Sequence, residues 1–562
     1  MSGILYGVSV GPGDPELITL KAARILRGST VIAAPETGSG RAVALEIAEE
    51  YIRGKKLLKL NMPMTLDEDV LERAHEAATD EICAYLSDGS DVAMITLGDI
   101  SLFSTFSYIQ SKIEARGYDV RIIPGVPAFC AVAAELGKPA SLGDTPLRII
   151  PGGSDDMMPQ IEEALDSGDN IVIMKAGNRM SLIKTALADR GLTDCASIVE
   201  RCGMNDQKVF NSIDEAGEKA EYLSTIMVSN RRARRNYQQA GRIREDSDAS
   251  AIGADASGSG AIDKDSANYI GQIRETSDAS SSNASSSDVY VSGGGSSGAG
   301  ASDAGAIDEK KVRFVGAGPG AVDLITVRGL EHIKQAGMII YAGSLVNKEL
   351  LSYAQPDCVA LDSSKMTLDE VIDGIRRGLA DGRAVVRLHT GDPSIFGAIR
   401  EQFDELDKHG IEYEVVPGVS SFLAAAATLN SEYTLPGVSQ TVILTRIAGR
   451  TPVPDGSDIR SLASHNASMA IFLSASMLDN LATELKLGGY SPETPVALVY
   501  KASWPDELVV RTDVEHMAEE AEKNGIERTA LVLVGKFLGD SHYNKSRLYA
   551  PDFSHGFRKA KS

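Results

Sequence analysis

The sequence is poor in several features that particular protein classes require. Only 5% of its 562 residues are aromatic and one is tryptophan, which argues against a surface that stacks the bases of single-stranded nucleic acid. The five cysteines form no C-x-x-C pair and are odd in number, so we interpret them as reduced, mostly buried thiols. The longest apolar runs are too short to cross a bilayer, and the N-terminus lacks the features of a signal peptide. We therefore expect a soluble, cytoplasmic protein.

Positive charge is also scarce. The chain has 56 Lys and Arg residues against 78 Asp and Glu residues, which gives a formal net charge of -22. This balance argues against nonspecific binding to nucleic acid or to an anionic membrane, so neither partner is expected. A polyanionic substrate would need a local cluster of basic side chains in its cleft. The eight histidines are scattered without an H-x-x-x-H pair, so no metal site is predicted.

One segment differs in composition from the rest of the chain. Residues 236–309 are rich in Ser, Gly, Ala and Asp and almost lack large apolar residues. Such a segment buries too little surface to offset its ordering entropy. It also contains a near-copy of itself, GRIREDSDAS from Gly241 and GQIRETSDAS from Gly271. We predict a disordered linker there, between a first half at residues 1–235 and a second half at residues 310–562.

Three sequence blocks occur in the same order in both halves. The first reads VSVGPGDPELITL from position 8 and FVGAGPGAVDLIT from position 314. The second reads TLGDISLF from position 96 and HTGDPSIF from position 389. The third reads RIIPGVPAF from position 121 and EVVPGVSSF from position 414, at the same spacing from the second block in both halves. An ordered repeat of this kind predicts a tandem of two homologous units.

Both halves have the pattern of an α/β fold. Short apolar runs alternate with segments of helical period, such as Ala42 to Tyr51, and this alternation predicts largely parallel sheets. The runs predicted as strands are Leu5 to Val10, Val92 to Thr96, Val120 to Ile123, Ile171 to Met174, Tyr222 to Ser229, Val312 to Gly316, Ala384 to Leu388, Tyr413 to Val416 and Met469 to Leu473. All three repeated blocks follow strands, where ligands bind in parallel sheets.

Each block has a structural and a functional interpretation. The glycine loops, followed in the first half by a helix predicted near Leu17, allow close approach to a ligand or form a tight turn. They lack the G-x-G-x-x-G spacing of a dinucleotide site. The carboxylates of Asp99 and Asp392 either meet ribose hydroxyls or a cation, or cap the next helix. The Pro-Gly-Val loops lead into helices of small residues, which make room for a planar ligand or simply pack closely.

In this order the blocks resemble those of the tetrapyrrole (corrin/porphyrin) methylase family, over essentially all of the chain except the linker. The second half, with TVILTRIAGRTPVP, VALVYKASWPDELVVRT and SRLYAPDFSHGFRK, is similar to the precorrin-4 C11-methyltransferases. The first half, with LYGVSVGPGDPELITLKAARIL, NMPMT and IVIMKAGNRMSLI, is similar to the precorrin-2 C20-methyltransferases. The resemblance implies, for each half, a dimeric enzyme of two α/β domains with S-adenosylmethionine bound in the cleft between them.

The resemblance also implies methyl transfer to an electron-rich ring carbon, a reaction that needs little acid–base chemistry and depends on positioning. No individual catalytic residue is assigned. The residues expected to contact the cofactor lie in the repeated blocks: Pro12, Gly98, Asp99, Phe103, Pro124, Val126, Pro319, Gly391, Asp392, Ile395, Phe396, Ser420 and Ser421.

The substrate carries many carboxylates, so basic side chains should border its cleft. The candidates are Arg446, Arg450 and Lys501 in the second half and Lys175 in the first, with a surface salt bridge as the alternative for each. His389 is interpreted as a core histidine rather than a substrate contact.

Two rival functions stay open at this point. The same fold could methylate RNA or a protein residue, or one half could be an inactive binding module. The sequence favours cobalt-containing substrates only weakly. The linker is expected to act as a tether that lets each half find its own dimer partner, giving a homodimer or a larger assembly.

Overall fold

The computed structural model describes residues 2–36, 43–63, 67–143, 145–153, 157–229, 311–435, 437–448, 453 and 456–539. Both halves belong to one structural unit, Met1–Tyr237 with Asp308–Ser562. The predicted linker, Arg450 and the motif SRLYAPDFSHGFRK lie outside the described residues. Among the residues that are described, no helix is both long and apolar enough to cross a membrane.

The first half begins with a five-stranded parallel sheet in the order β3-β2-β4-β1-β5. Its strands are Leu5–Ser9 (β1), Val31–Glu36 (β2), Lys56–Asn61 (β3), Val92–Thr96 (β4) and Val120–Ile123 (β5). Its helices are Leu20–Gly28 (α1), Val43–Ile52 (α2), Glu68–Ser87 (α3), Phe106–Ala115 (α4) and Ala128–Glu135 (α5). The helix predicted near Leu17 begins three residues later, because Pro15–Leu17 form a 3-10 turn and the Thr19 hydroxyl accepts from the Ala22 amide as the N-cap of α1.

A second domain completes the first half. It contains Leu147–Pro151 (β6), Met158–Ser167 (α6), Asn170–Met174 (β7), Met180–Asp189 (α7), Ala196–Glu200 (β8), Lys208–Phe210 (β9) and Ser224–Ser229 (β10). Four of the nine predicted strands fall in the first sheet or this domain with boundaries within one residue, and the fifth, Tyr222 to Ser229, starts two residues late.

The second half repeats this plan. Its parallel sheet, in the order β13-β12-β14-β11-β15, contains Lys311–Gly316 (β11), Met338–Tyr341 (β12), Val359–Asp362 (β13), Val385–His389 (β14) and Glu412–Val416 (β15). The accompanying helices are Val327–Gln335 (α8), Leu368–Ala380 (α9), Ile399–Lys408 (α10) and Ser421–Thr428 (α11). Its second domain contains Val442–Arg446 (β16), Ile459–Ala463 (α12), Ser468–Phe472 (β17), Leu478–Leu487 (α13), Pro495–Tyr500 (β18), Leu508–Asp513 (β19), Met517–Lys523 (α14) and Ala530–Val534 (β20).

The second domains of the two halves share one ten-stranded sheet in the order β19-β18-β20-β17-β16-β6-β7-β10-β8-β9. Within it only β6–β7 and β16–β17 are parallel, and the other pairs are antiparallel. The prediction of largely parallel sheets is therefore correct for the first domains and wrong for the second ones. Short connections, such as the turn between β18 and β19, join neighbouring strands without the long crossover that parallel pairing requires.

The halves pair with each other about a pseudo-twofold axis. At the junction of the sheet, β6 and β16 run antiparallel with Leu147 opposite Leu444 and Ile149 opposite Val442. These strands are equivalent in the two halves, so the contact is self-complementary, as in an isologous dimer. Thr19 and Thr326, the N-caps of the equivalent helices α1 and α8, also face each other in an isolated bridge.

Ion pairs reinforce this contact. The Arg328 guanidinium lies 2.5 Å from Asp14 and 2.6 Å from Glu16, and Arg24 lies 2.6 Å from Asp323. The expectation that the halves are separate units, each with a partner in another chain, is therefore wrong: each half is the partner of the other. A homodimer of the whole chain stays a prediction.

Candidate functional site

The three repeated blocks of each half meet at one edge of its parallel sheet. In the first half β4, β1 and β5 are neighbours, so the loops that follow them are adjacent. Gly98 donates its amide hydrogen to the Gly11 carbonyl at 2.8 Å, and Gly11 donates to Gly98 at 3.3 Å. In the second half Gly391 and Gly318 form the same pair of hydrogen bonds, at 2.8 and 3.3 Å. The prediction that the blocks lie together is confirmed by this geometry.

Asp99 connects the second and third loops of the first half. One carboxylate oxygen accepts from the Ser101 amide at 2.9 Å and from the Ser101 hydroxyl at 2.5 Å, and the other accepts from the Gly125 amide at 2.8 Å. The residue is 3% exposed. Burial raises the pKa of Asp99 to about 6, although these hydrogen bonds act to lower it.

Asp392 does the same in the second half. Its carboxylate accepts from the amide and hydroxyl of Ser394 and, at 3.0 Å, from the Gly418 amide. Burial again raises the pKa of this carboxyl to about 6. The expected contact between these carboxylates and ribose hydroxyls or a cation stays a prediction. Both side chains face inward and hold two loops together, because the loop amides supply the donors that a buried carboxylate needs.

The loops approach one another so closely that side chains are excluded. A Cβ on Gly418 would lie 2.3 Å from the Gly391 carbonyl oxygen, and one on Gly125 would lie 2.6 Å from the Ser9 Cβ. Gly98 and Gly391 have φ values of +74° and +63°, which glycine adopts without strain. Gly98 is less crowded, since a Cβ there would make an ordinary van der Waals contact with the Ala128 amide nitrogen at 3.9 Å.

The helices α5 and α11 begin directly beside these loops. Their N-cap residues, Pro127 and Ser420, make no side-chain capping hydrogen bond. The Cys130 and Leu423 amides bond the carbonyls of these N-cap residues, so the first two amides of each helix are the ones available to a ligand that accepts hydrogen bonds. Ser421, the first residue of α11, is half-buried.

Phe103 and Phe396 occupy equivalent positions and share an uncommon backbone conformation. Their φ values are +52° and +50°, which costs free energy in a residue other than glycine. The Phe103 carbonyl accepts from the Lys175 ammonium at 3.0 Å, and the ammonium lies 5.6 Å from the Phe103 ring centroid. Phe396 packs against Phe472 with ring centroids 5.2 Å apart. In both halves, then, a side chain from the second domain contacts the Gly-Asp loop of the first domain of the same half.

The second domain also covers the glycine loop. In the second half the Trp504 indole donates to the Pro319 carbonyl at 3.0 Å, and a Cβ on Gly320 would lie 2.1 Å from the indole ring. In the first half a Cβ on Gly13 would lie 2.2 Å from the Cys202 carbonyl oxygen. Each site is therefore a cleft between two domains, bordered by the three loops.

The remaining residues predicted to contact the cofactor are either buried loop prolines or members of the hydrophobic core. The prolines Pro12, Pro124 and Pro319 are buried within the loops. Val126 and Ile395 belong to the large hydrophobic core cluster, where Val126 is fully buried. The structure thus places all thirteen predicted residues in or directly behind the loops, and their contact with the cofactor stays a prediction.

The basic residues do not form one cluster. Lys501 pairs with Asp506 at 2.5 Å, which is the surface salt bridge given as the alternative, and its contact with substrate stays a prediction. Arg446 is 7% exposed at the end of β16 and donates to the Ile447 carbonyl at 3.1 Å. Lys175 remains at the cleft, between the rings of Phe103 and Tyr222. Arg450 lies outside the described residues.

His389 is a core residue, as interpreted from the sequence. It is 4% exposed and stacks on Phe314 with ring centroids 5.8 Å apart. Burial, followed by the nearby Arg387 charge, lowers its pKa well below the usual range, so the imidazole is neutral. Within the described part of the chain, no group of three or more His, Cys, Asp or Glu side chains could hold a metal ion.

Several residues at the site escaped the sequence analysis. Ser101 and Ser394 could have been found, because both halves have serine two positions after the Gly-Asp aspartate. Trp504 lies in the motif KASWP, but nothing in that motif indicates contact with Gly320. Thr434 of the second half accepts from the Phe103 amide of the first at 2.6 Å. No local signal indicates a contact across 331 residues.

Comparison with known proteins agrees with this architecture. The sequence model of the tetrapyrrole (corrin/porphyrin) methylases matches twice, at residues 4–217 and 311–518. A cobalt-precorrin-4 C(11)-methyltransferase of Methanocaldococcus jannaschii is 52% identical over 253 residues, which are 45% of this chain and 98% of that protein. A probable cobalt-precorrin-2 C(20)-methyltransferase of the same organism is 36% identical over 231 residues, 40% of this chain and 95% of that protein.

Among solved structures, a cobalt precorrin-4 methyltransferase is 43% identical, with a TM-score of 0.41, and the match covers 41% of this chain and 97% of that one. The two family matches together span well over half of the sequence. The chain therefore belongs to the tetrapyrrole (corrin/porphyrin) methylase family and carries two copies of its methyltransferase unit.

Proposed function

We propose that the chain is a bifunctional S-adenosylmethionine-dependent methyltransferase of cobalamin biosynthesis. The first half methylates C20 of a precorrin-2, and the second methylates C11 of a precorrin-4. The observation that carries this proposal is the pair of equivalent loop sites, one in each half, with Asp99 and Asp392 in matching hydrogen bonds. A half that served only as a tether would have no need of that geometry.

The relatives support a different specificity for each half. The 253 residues aligned with the C(11) enzyme equal the length of residues 310–562. The 231 residues aligned with the C(20) enzyme fit the length of residues 1–235. Each relative is matched over nearly its whole length, so each half is long enough for a complete enzyme.

The clefts suit a donor that is held mainly by backbone groups. The uncapped first turns of α5 and α11 offer amide donors, and Ser420 adds a hydroxyl in the second half. S-adenosylmethionine, when bound, supplies a methyl group already activated by the sulfonium charge. The predicted loop residues from Pro12 to Ser421 are proposed to contact it, except that Asp99 and Asp392 act by holding the loops.

The chain's own part in the reaction is positioning. The buried carboxylates fix the loops in advance of binding, which reduces the entropy lost when donor and ring carbon are brought together. The second domains cover the loops and exclude water from the cleft. Lys175 is proposed to border the substrate in the first half, where its charge suits a ring that carries many carboxylates.

We also propose that the substrates contain cobalt. The two Methanocaldococcus jannaschii relatives, one for each half, are both named for cobalt-precorrins. This part of the proposal depends on those names, because nothing in the described clefts distinguishes a metal in the ring from its absence.

The test is methyl transfer from S-adenosylmethionine carrying a 13C-labelled methyl group. The full chain is incubated with precorrin-2, precorrin-4 and the cobalt complex of each, and the labelled carbon is located by NMR. We expect label at C20 of the first substrate and at C11 of the second, with the cobalt forms preferred. Protein that binds S-adenosylhomocysteine at two equivalents but labels only one substrate would assign one half a tethering role. No label on any tetrapyrrole would overturn the proposal and favour RNA or protein as substrate.

A further inference from the structure

The short segment that follows α11 of the second half, residues 430–434, packs on the Gly-Asp loop of the first half. The Tyr433 amide donates to the Ser101 carbonyl at 3.0 Å, and the Thr434 hydroxyl accepts from the Phe103 amide at 2.6 Å. The Glu432 carboxylate accepts from the Ser104 amide at 3.0 Å. Three consecutive residues of one half thus bind the loop of the other.

The side chains of Glu432 and Thr434 in this segment are deeply buried. Glu432 is 6% and Thr434 is 3% exposed, and the Thr434 hydroxyl donates to the Glu432 carboxylate at 3.0 Å. Burial raises the pKa of Glu432 to about 7, although the hydrogen bonds from Thr434 and the Ser104 amide and the Lys175 charge act to lower it. Burying a carboxyl group is unfavourable unless hydrogen bonds compensate for the lost water, so the contacts of Glu432 are what hold it in this position.

The amides that these side chains bind belong to the strained part of the loop. Phe103 has a φ of +52°, and such a conformation persists only when its surroundings hold it. Its carbonyl is held by Lys175 from its own half, at 3.0 Å, and its amide by Thr434 from the other. Removing either contact frees one of the two peptide groups that flank Phe103, next to the proposed cofactor site.

The reciprocal contact, from the first half to the Gly-Asp loop of the second half, involves fewer side-chain hydrogen bonds in the described residues. In the second half the Ser394 carbonyl accepts from the Ser141 amide of the first half at 3.0 Å, which matches the bond between Tyr433 and Ser101. No carboxylate from the first half reaches the amides after Phe396 in the hydrogen bonds of the described residues. The side chain of the first half that approaches the second-half loop is Cys130. Burial raises the pKa of its thiol, and the nearby Asp392 charge is the next largest cause.

We infer that Glu432 and Thr434 of the second half are positioning residues for the methyl-transfer site of the first half. The first-half site is therefore complete only when the two halves are paired, whereas in the described part of the chain no carboxylate of the first half bonds the loop amides of the second-half site. This inference rests on the proposed function of the first half for its activity readout. It makes a separate statement about the loop itself, namely that residues 99–106 are ordered by the other half.

The test uses the full chain with a matched set of substitutions. Thr434→Val removes the hydroxyl and keeps the volume, and Thr434→Ser restores the hydroxyl. Glu432→Ala and Glu432→Gln form a second pair, for use if Thr434→Val fails to fold. Ser431→Ala is the control, because the Ser431 hydroxyl bonds only the Leu429 carbonyl of its own half.

Three quantities are measured: methylation of each tetrapyrrole, S-adenosylhomocysteine binding, and hydrogen exchange in the peptide of residues 99–106. For Thr434→Val we expect faster exchange in that peptide and a loss of about tenfold in kcat/KM for the first-half substrate. The second-half reaction should stay within about twofold of wild type, because its loop lies outside this contact. Thr434→Ser and Ser431→Ala should behave as wild type in all three measurements.

Equal losses at both sites would overturn the inference, since they would indicate a general effect on folding. Faster exchange with unchanged first-half activity, or no rescue by Thr434→Ser, would overturn it as well. If wild-type protein methylates neither tetrapyrrole, the proposed function fails and the binding titration decides the inference. Weakening of one of two S-adenosylhomocysteine sites by Thr434→Val would then support it, and two unchanged sites would overturn it.

Discussion

The first-half and second-half sites hold the same loops with the same hydrogen bonds, but different side chains border them. Asp99 and Asp392 bind equivalent amides, and Phe103 and Phe396 have φ values within a few degrees of each other. The residue after strand β7 is Lys175, with a φ of +59°, while the residue after the equivalent strand β17 is Leu473, with a φ of +54°. Leu473 is 71% exposed.

The residues of the second domain that cover the glycine loop also differ between the two halves. Trp504 packs on Gly320 in the second half, whereas the first half has Met204 and the Cys202 carbonyl against Gly13. Geometry that serves a common methyl donor is thus the same in both halves, and it is set by backbone and buried groups. The side chains that border the clefts differ, which is what two different ring substrates require.

Among the residues that border the two clefts, the largest expected effect distinguishes the two glycine loops. Gly320→Ala places a methyl group against a side chain, and Gly13→Ala places one against a backbone oxygen. Each should lower the activity of its own half by about tenfold or more, because loop displacement disturbs the donor position. Trp504→Ala should partly restore the Gly320→Ala protein, but Met204→Ala should not restore the Gly13→Ala protein.

The measurement is the rate of methyl transfer to each substrate for the single and double variants. Gly28→Ala is the matched control, since a Cβ on Gly28 meets no atom within 4 Å. Equal behaviour of the two double variants would contradict the difference between the loops.

The next effect in size is a change in folding stability with pH. It comes from Glu432, in the contact that supports the first-half site. The pKa of Glu432 is raised from 4.5 to about 7, so the folded chain binds a proton that the unfolded chain releases. Stability from this group is therefore present below the unfolded pKa and is lost as the pH rises from about 4.5 to about 7. Glu432→Gln lacks this loss, so wild type should become less stable relative to the variant by ~1–3 kcal/mol across the window.

Urea unfolding of both proteins at several pH values measures that difference. Asp99 and Asp392 also have raised pKa values, of about 6, but both proteins contain them and their effect cancels in the comparison. Lys175 is the charged group that opposes the shift in Glu432. A difference that stays constant with pH would show that Glu432 titrates normally in the folded chain.

The smallest expected effect tests the equivalence of two surface ion pairs. Lys501 pairs with Asp506 and Arg201 with Asp206, both at 2.5 Å and at equivalent positions. Exposed pairs contribute little to stability, so Lys501→Ala and Arg201→Ala should each leave both methylation rates within about twofold of wild type. A large rise in KM for the second-half substrate in Lys501→Ala would restore Lys501 as a substrate contact.

The sequence was sufficient to predict each half's α/β pattern and the meeting of its three loops. Strands β4 and β5 have the predicted bounds, because short apolar runs between turn residues leave few alternatives. The adjacency of the loops follows from parallel strands, whose carboxyl ends lie at one edge.

The pairing of the halves could not be predicted in this way. The junction of β6 and β16 joins residues about 300 positions apart, and no local pattern specifies that contact. The orientation of Asp99 also depends on the Gly125 amide, which only the folded loop brings within reach. The resemblance to dimeric enzymes suggested a partner for each half, but it did not identify that partner as the other half of the same chain.

The central claim, that each half is a separate working site, is tested most directly by mass spectrometry of methyl transfer in Asp99→Ala and Asp392→Ala. Each substitution leaves buried loop amides without their acceptor and should reduce the reaction of its own half by about 100-fold. The account predicts that Asp99→Ala loses methylation of cobalt-precorrin-2 and keeps that of cobalt-precorrin-4, and that Asp392→Ala does the reverse. Loss of both reactions, or of neither, in folded protein would contradict it.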